Sequence, residues 1–156
     1  MDAIALLKKD HETVKSLLSR LENTTERAVQ TRKKLVQKIE QELQVHTAIE
    51  EKIFYPAFKA AGARDEAILS SEAKEEHRAV DSLVLPDIMQ TSPSSIEFTG
   101  RVKVLKELLE HHIEEEETDM FPQASKLLGK QKLLELGAEM EALQKTLKQG
   151  QQAKAA

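Results

Sequence analysis

Apolar residues recur along most of this chain at intervals of three and four, the spacing that lines one face of an α-helix. In the first segment Ile4, Leu7, Val14, Leu18 and Leu21 form an unbroken 3-4-3-4-3 series once position 11 is included, and position 11 is a histidine. A second series runs Val36, Ile39, Leu43, His46, Glu50, Ile53 and Ala57, with two polar residues in succession on its inward face. The third places Ala73, His77, Val80 and Val84 inward, and the fourth Val102, Leu105, Leu109, His112, Glu116 and Met120. A fifth, Leu133, Leu136, Met140, Leu143 and Leu147, has no polar residue in its stripe. Five helices are predicted.

Punctuation supplies provisional boundaries. Asn23 to Glu26 reads as the N-cap and its N3 partner for the second helix. Pro56 is expected to kink or end that helix, and Gly62 to cap it. After a connection of about ten residues the third helix is placed from near Ser71, with Pro86 disturbing its end. Ser92-Pro93 reads as a capping serine with proline at the first position of the fourth helix. Short connections make neighbours antiparallel, so the predicted fold is all-α: an up-down-up-down four-helix bundle over residues 1–128. Residues 129–148 form an amphipathic helix packing on the bundle or on a partner chain, and 149–156, with nothing apolar beyond alanine, a flexible tail.

The polar positions repeat. A shift of 66 residues carries His11 onto His77, Val14 onto Val80, Leu17 onto Leu83, Val36 onto Val102, Ile39 onto Leu105, Leu43 onto Leu109, and His46-x-x-x-Glu50 onto His112-x-x-x-Glu116 without a gap. The spacing from the single histidine to the His-x-x-x-Glu pair is 35 in both halves. The unit is a helical hairpin used twice in tandem. In each pair the His and Glu, four apart, project from one helix face within reach of a shared ion.

Composition narrows the chemistry. The chain of 156 residues fits one domain and holds no cysteine, which removes disulfides, thiolate metal sites and thiol nucleophiles and leaves His and carboxylate as protein ligands. Its 23 basic and 27 acidic side chains give a formal charge of -4, so no basic surface argues for nucleic acid. No apolar run is long enough for a membrane span, and Asp2, Lys8, Lys9 and Asp10 come too early for a signal peptide; a cytoplasmic protein is expected. Four imidazoles and two carboxylates at core positions need a partner, because burying an unpaired carboxylate costs several kcal/mol. A pair of divalent metal ions satisfies all six, and without sulfur ligands iron or manganese fits better than structural zinc. The competing arrangement is a hydrogen-bonded His–Glu network with no metal.

The order His11, His46-x-x-x-Glu50, His77, His112-x-x-x-Glu116 resembles the hemerythrin-like, or HHE cation-binding, domain over residues 1 to about 125. The resemblance implies a non-haem centre of two iron ions with an oxo or hydroxo bridge, Glu50 and Glu116 bridging and His11, His46, His77 and His112 as terminal ligands. A ferritin-like site would need Glu-x-x-His, but Leu43, Lys74 and Leu109 stand three before His46, His77 and His112. No His-Glu-x-x-His of a zinc protease occurs either. Oxygen-carrying hemerythrins use a fifth histidine four residues from another on the third helix, where this chain has Ala73 and Asp81. Asp81 lies on the right face to replace it. Tyr55 resembles a tyrosine of some bacterial members, although an ideal helix turns it away from His46, and water is the third candidate. His111 is expected at the surface or behind the ligands, and Glu114, Glu115 and Glu117 on a solvated acidic face. The implied function is binding of a small exogenous ligand (oxygen, peroxide or nitric oxide), with catalase-like peroxide decomposition as one outcome; the alternative is an iron-binding or sensing module without turnover. Neither nucleic acid nor membrane is an expected partner, and the expected state is a monomer or homodimer.

Overall fold

The computed structural model describes residues 1–155, and every regular element among them is helical. Helix α1, Ala3–Glu22, starts where the Asp2 carboxylate accepts the Ala5 N–H at 2.8 Å. Helix α2, Val29–Ile49, passes through a π-helical turn at Glu50–Phe54 and resumes as α3, Tyr55–Ala61. Helix α4, Arg64–Ala79, does the same through Val80–Val84 into α5, Leu85–Gln90. Helix α6, Ile96–Glu115, continues through Glu116–Met120 into α7, Phe121–Ala155. Four long rods result. The chain bends at Gly129, whose φ of 78° suits only glycine without strain, and the rest of α7 is the C-terminal helix.

The prolines neither end nor sharply break these rods. In each of the three π turns the backbone N–H of the residue just before proline bonds five residues back: Tyr55 to the Glu50 carbonyl, Leu85 to Val80, and Phe121 to Glu116. Widening the turn relieves the clash between a proline ring and the carbonyl four residues earlier, so Pro56, Pro86 and Pro122 sit in the first turn of a resumed α-helix. Each extra residue also rotates the inward face. Phe54 and Phe58 are fully buried where the regular register places Ile53 and Ala57, and Leu85 is buried in preference to Val84.

Four boundaries differ from the sequence expectation. Asn23 caps the end of α1, and α2 starts only at Val29. Helix α4 begins at Arg64, seven residues before Ser71, because the Glu66 carboxylate accepts the Ala63 N–H at 2.8 Å and starts the helix there. Ser92 and Pro93 lie in a turn, and Ser95 is the N-cap of α6 through a bond from Phe98 N at 3.2 Å. Residues 149–155 continue α7 as helix, where the sequence reading has a flexible tail. Their Gln, Ala and Lys are good helix formers extending an existing helix, and the Gln151 amide donates to the Gln41 carbonyl at 3.0 Å. Ala156 lies outside the described residues.

Two apolar clusters fill the interior. One joins α1, α2, α5 and α6 through Leu18, Ile39, Ile88 and Leu105. The other joins Leu7, Ile49, Phe54, Phe58 and Phe121 to Leu133, Leu136 and Met140 of α7. Gly137 allows α7 to press on the N-terminus of α1, since a Cβ there would collide with the Met1 backbone carbonyl. Beyond the first cluster, buried Arg32 ties two connections together. Its guanidinium donates to the Thr24 hydroxyl at 3.0 Å, the Thr24 carbonyl at 3.1 Å, the Pro93 carbonyl at 2.6 Å and the Thr99 hydroxyl at 3.1 Å, and lies 5.0 Å from the centre of the Phe98 ring. Replacing Arg32 with leucine strands these acceptors. Arg32→Leu is expected to destabilise the fold by about 2–4 kcal/mol in urea unfolding, with the change in midpoint as the readout; a midpoint within error of the parent would mean that water replaces the guanidinium.

Candidate metal centre

Between the two apolar clusters lies a polar layer made of the repeated residues. His11 comes from α1, His46 from α2, Glu50 from the first π turn, His77 from α4, His112 from α6, and Glu116 from the third π turn; all six are buried. The ring nitrogens Nε2 converge on two carboxylate oxygens. Glu50 Oε1 lies 2.9 Å from His46 and 3.3 Å from His77, while Glu116 Oε1 lies 3.3 Å from His11 and 3.1 Å from His112. Two overlapping sets, His11–His46–Glu50–Glu116 and Glu50–His77–His112, each bring one ligand atom per residue within 4.8 Å of the others.

The other nitrogen of every ring is taken. The Nδ1 atoms pair with carboxylates: His11 with Glu117 at 2.8 Å, His46 with Asp10 at 3.1 Å, His77 with Glu51 at 2.8 Å and His112 with Glu76 at 2.8 Å. These links close a ring through the bundle, each rod holding the histidine of the next. A carboxylate accepting from Nδ1–H leaves the lone pair of a neutral ring on Nε2, aimed inward. Sequence reasoning missed these four acids, and it placed Glu117 on a solvated face. The signal was present, because the shift that pairs the histidines also pairs Asp10 with Glu76 and Glu51 with Glu117.

The consequence is an excess of acceptors. His11 Nε2, His46 Nε2, Glu50 Oε1 and Glu116 Oε1 are buried with no hydrogen-bond partner, and the Nε2 atoms of His77 and His112 face each other at 3.1 Å. Facing lone pairs repel unless a cation or proton lies among them. The titration of the groups reflects that demand. Burial alone would lower the pKa of His46, but Glu50, Asp10 and Glu116 push it up to about 10. Against the same burial, Glu116 and Glu76 raise His112 well above its ordinary value, and Glu50 and Glu51 raise His77. Burial would raise Glu116, but the charge of His112 beside it holds it well below the carboxylate range. Divalent cations meet this demand, and imidazole with carboxylate oxygen is a donor set suited to iron, manganese or zinc. The residues fit a metal pair.

Of the two fifth-ligand candidates, one reaches the centre. The Tyr55 hydroxyl donates to Glu116 Oε2 at 2.7 Å, with Glu50 Oε2 at 3.2 Å and His77 Nε2 at 3.3 Å. Burial and then the charges of Glu50 and Glu116 push its pKa well above the ordinary phenol value. The unfavourable angle of an ideal helix is removed by the π turn, which stacks Tyr55 directly over Glu50. Asp81 is exposed and lies outside both ligand sets. His111 is exposed as well, 3.2 Å from Glu115. The repeat mate of Tyr55 is Phe121: Tyr55 stacks on His77 with ring centres 5.6 Å apart, and Phe121 on His11 at 5.8 Å.

The hemerythrin HHE cation-binding domain model matches residues 2–124, so the chain belongs to that family. It is 31% identical over 147 residues to Rv2633c, an uncharacterized protein of Mycobacterium tuberculosis, covering 91% of this chain and 84% of that one. The crystal structure of an HHE domain-containing Rv2633c homolog from Mycobacterium kansasii superposes with a TM-score of 0.85 at 28% identity, over 99% of this chain and 91% of that one. A DNA nickase of Nostoc is 27% identical over 145 residues, but this chain spans only 39% of its length.

The Nδ1 carboxylates can be tested apart from the six inward groups. Asp10→Ala or Glu51→Ala is expected to weaken retention of a divalent cation about 10- to 100-fold in competition with a chromogenic chelator, because the freed ring turns and loses basicity. Glu114→Ala, on an exposed position, serves as the control and leaves retention unchanged.

Proposed function

We propose that this chain is a di-iron protein of the hemerythrin type that binds a small exogenous ligand (oxygen, peroxide or nitric oxide). In this reading Glu50 and Glu116 bridge two iron ions carrying an oxo or hydroxo bridge, with His11, His46, His77 and His112 as terminal ligands. The observation that carries it is the convergence of four Nε2 atoms and two carboxylates in one buried layer, where His11 Nε2, His46 Nε2, Glu50 Oε1 and Glu116 Oε1 have no hydrogen-bond partner, while every Nδ1 is bonded outward. The iron pair, when bound, supplies redox chemistry toward the exogenous ligand. The chain's own residues orient the rings through Asp10, Glu51, Glu76 and Glu117 and exclude water with the flanking apolar clusters.

Tyr55 favours peroxide decomposition over plain carriage, since its hydroxyl holds a proton at the carboxylate layer. The antiparallel up-down-up-down order, a monomeric or homodimeric state and a cytoplasmic location belong to the same proposal. Among the described residues no helix is long and apolar enough to cross a membrane.

Elemental analysis after anaerobic reconstitution with Fe(II) is expected to give two irons per chain. One or none would overturn the di-iron reading, whereas zinc taken up during expression would not. Uptake should also release protons. His46, with its pKa at about 10 in the metal-free chain, carries a proton at neutral pH that must leave before Nε2 binds a cation. Apparent affinity is therefore expected to rise with pH from neutrality toward about 10, and to fall in acid. Titration calorimetry of Zn(II) in buffers of different ionisation enthalpy measures the release; enthalpies independent of buffer would show that no proton is displaced.

A further inference from the structure

A cavity of about 330 Å³ adjoins the polar layer. His11, His46, His77 and His112 line its buried end, and Val14, Leu43, Val80, Leu109 and Ile113, drawn from all four rods, form apolar walls. Val14 and Val80 stand three residues after a histidine, and Leu43 and Leu109 three before one, so these walls are the core layer next to the histidines. Valine at both 14 and 80, where a longer side chain would reach across, keeps the space open. Leu108, 40% exposed, and the exposed acids Glu72, Glu75 and Asp81 line the outer part. Neither lysine nor arginine belongs to the lining.

The room exceeds what a diatomic guest needs. Dioxygen, hydrogen peroxide and nitric oxide each have two non-hydrogen atoms, whereas the cavity has about ten times the roughly 30 Å³ that a water molecule occupies in the liquid. An apolar cavity of about 150 Å³ already takes a benzene ring, and pockets for organic ligands begin at about 300 Å³. Charge narrows the guest further. Acids at the mouth, with no cationic side chain in the lining, repel anions, and apolar walls give an inorganic ion nothing in place of its water. A neutral molecule with an apolar body instead buries its surface there favourably. A polar end on that molecule finds its counterpart at the inner end, where the Nε2 atoms of His11 and His46 are without hydrogen-bond partners.

We propose that this cavity binds a neutral organic molecule of about ten non-hydrogen atoms, an apolar body ending in one hydroxyl or hydroperoxyl group, with that end at the histidine layer. The inference rests on the peroxide reading above and narrows it: the exogenous peroxide is an alkyl or aralkyl hydroperoxide. Val14, Leu43, Val80, Leu109 and Ile113 recognise the body by its size and lack of charge, and the polar layer receives the oxygen end.

The full chain loaded with Zn(II) is the sample, because zinc has no redox chemistry and leaves a peroxide intact. Titration calorimetry with cumyl alcohol and with cumene hydroperoxide is expected to show saturable binding of one molecule per chain, with Kd at or below about 1 mM. Methyl NMR is expected to place the shifts on Val14, Leu43, Val80, Leu109 and Ile113, and none on Leu133 or Leu136 of the second apolar cluster. Cumenesulfonate, the same body with an anionic end, is expected to bind at least about tenfold more weakly. Leu109→Phe and Val14→Phe fill the space and are expected to weaken binding of the alcohol about tenfold or more, with circular dichroism and Zn(II) content unchanged. If neither variant folds, the methyl map of the parent decides the site. No saturation by about 10 mM, shifts confined to the second cluster, or unchanged binding by both folded variants overturns the cavity as the site. Equal binding of cumenesulfonate overturns the preference for a neutral guest, and binding of the alcohol without the hydroperoxide overturns the peroxide class. Metal content of the same sample separates this inference from the reading beneath it. Two Zn(II) retained with no guest bound overturns the cavity alone, whereas a guest bound at these methyls in a chain that retains no metal overturns the metal reading and sustains the cavity.

Discussion

The structure depends on concentrating acceptors in the buried middle of the bundle. Four imidazoles and two carboxylates occupy a layer between apolar clusters, with a further ring of four carboxylates behind them. Each outer carboxylate fixes one imidazole as a donor outward and an acceptor inward, so negative potential is focused on a small volume. The bundle stores this mismatch because all four rods contribute to it. The histidine of each rod is held by an acid of another, and no rod can turn about its axis without breaking a bond at either side.

A contrasting solution to buried charge appears beyond one of the apolar clusters. Arg32 is 3% exposed and is surrounded by carbonyls, hydroxyls and an aromatic face, with no carboxylate among its hydrogen-bond partners. Every donor direction used there meets an oxygen, so that charge is solvated by the protein and asks for nothing more. The layer at the centre is built in the opposite sense. One site has its polar demand met internally and stabilises the connections; the other leaves its demand open, as a binding site must.

The repeated hairpin and its six polar core residues were readable from periodicity, because a duplication writes each inward position twice. The register beyond them was not. A helical wheel assumes one turn geometry throughout, and the π turns at Glu50–Phe54, Val80–Val84 and Glu116–Met120 break that assumption at the site itself. Ile53 and Ala57 pack half-buried against the second apolar cluster while Phe54 and Phe58 take its centre, and Tyr55 was judged poorly aimed although it meets both carboxylates. The starts of α4 and α6 were missed because Ala63 with Glu66, and Ser95, make less conspicuous signals than Ser71 or Ser92-Pro93. Glu117 was assigned to solvent because a run of glutamates reads as a wet face, and only its pairing with His11 shows otherwise. Arg32 gave no warning, since nothing in a sequence distinguishes a buried arginine on a surface-like helix face.

The duplication has one further consequence, carried by a single oxygen atom. Tyr55 and Phe121 occupy equivalent places on their stacked histidines, but only one of them has a hydroxyl. A cage built from two copies of one hairpin would otherwise treat its two halves alike, as a symmetric dimer does. The phenol breaks that degeneracy. Two identical guests would then differ in electron density and in ease of ligand exchange, and a tandem repeat can acquire such a difference by changing one copy, which two separate but identical chains cannot do.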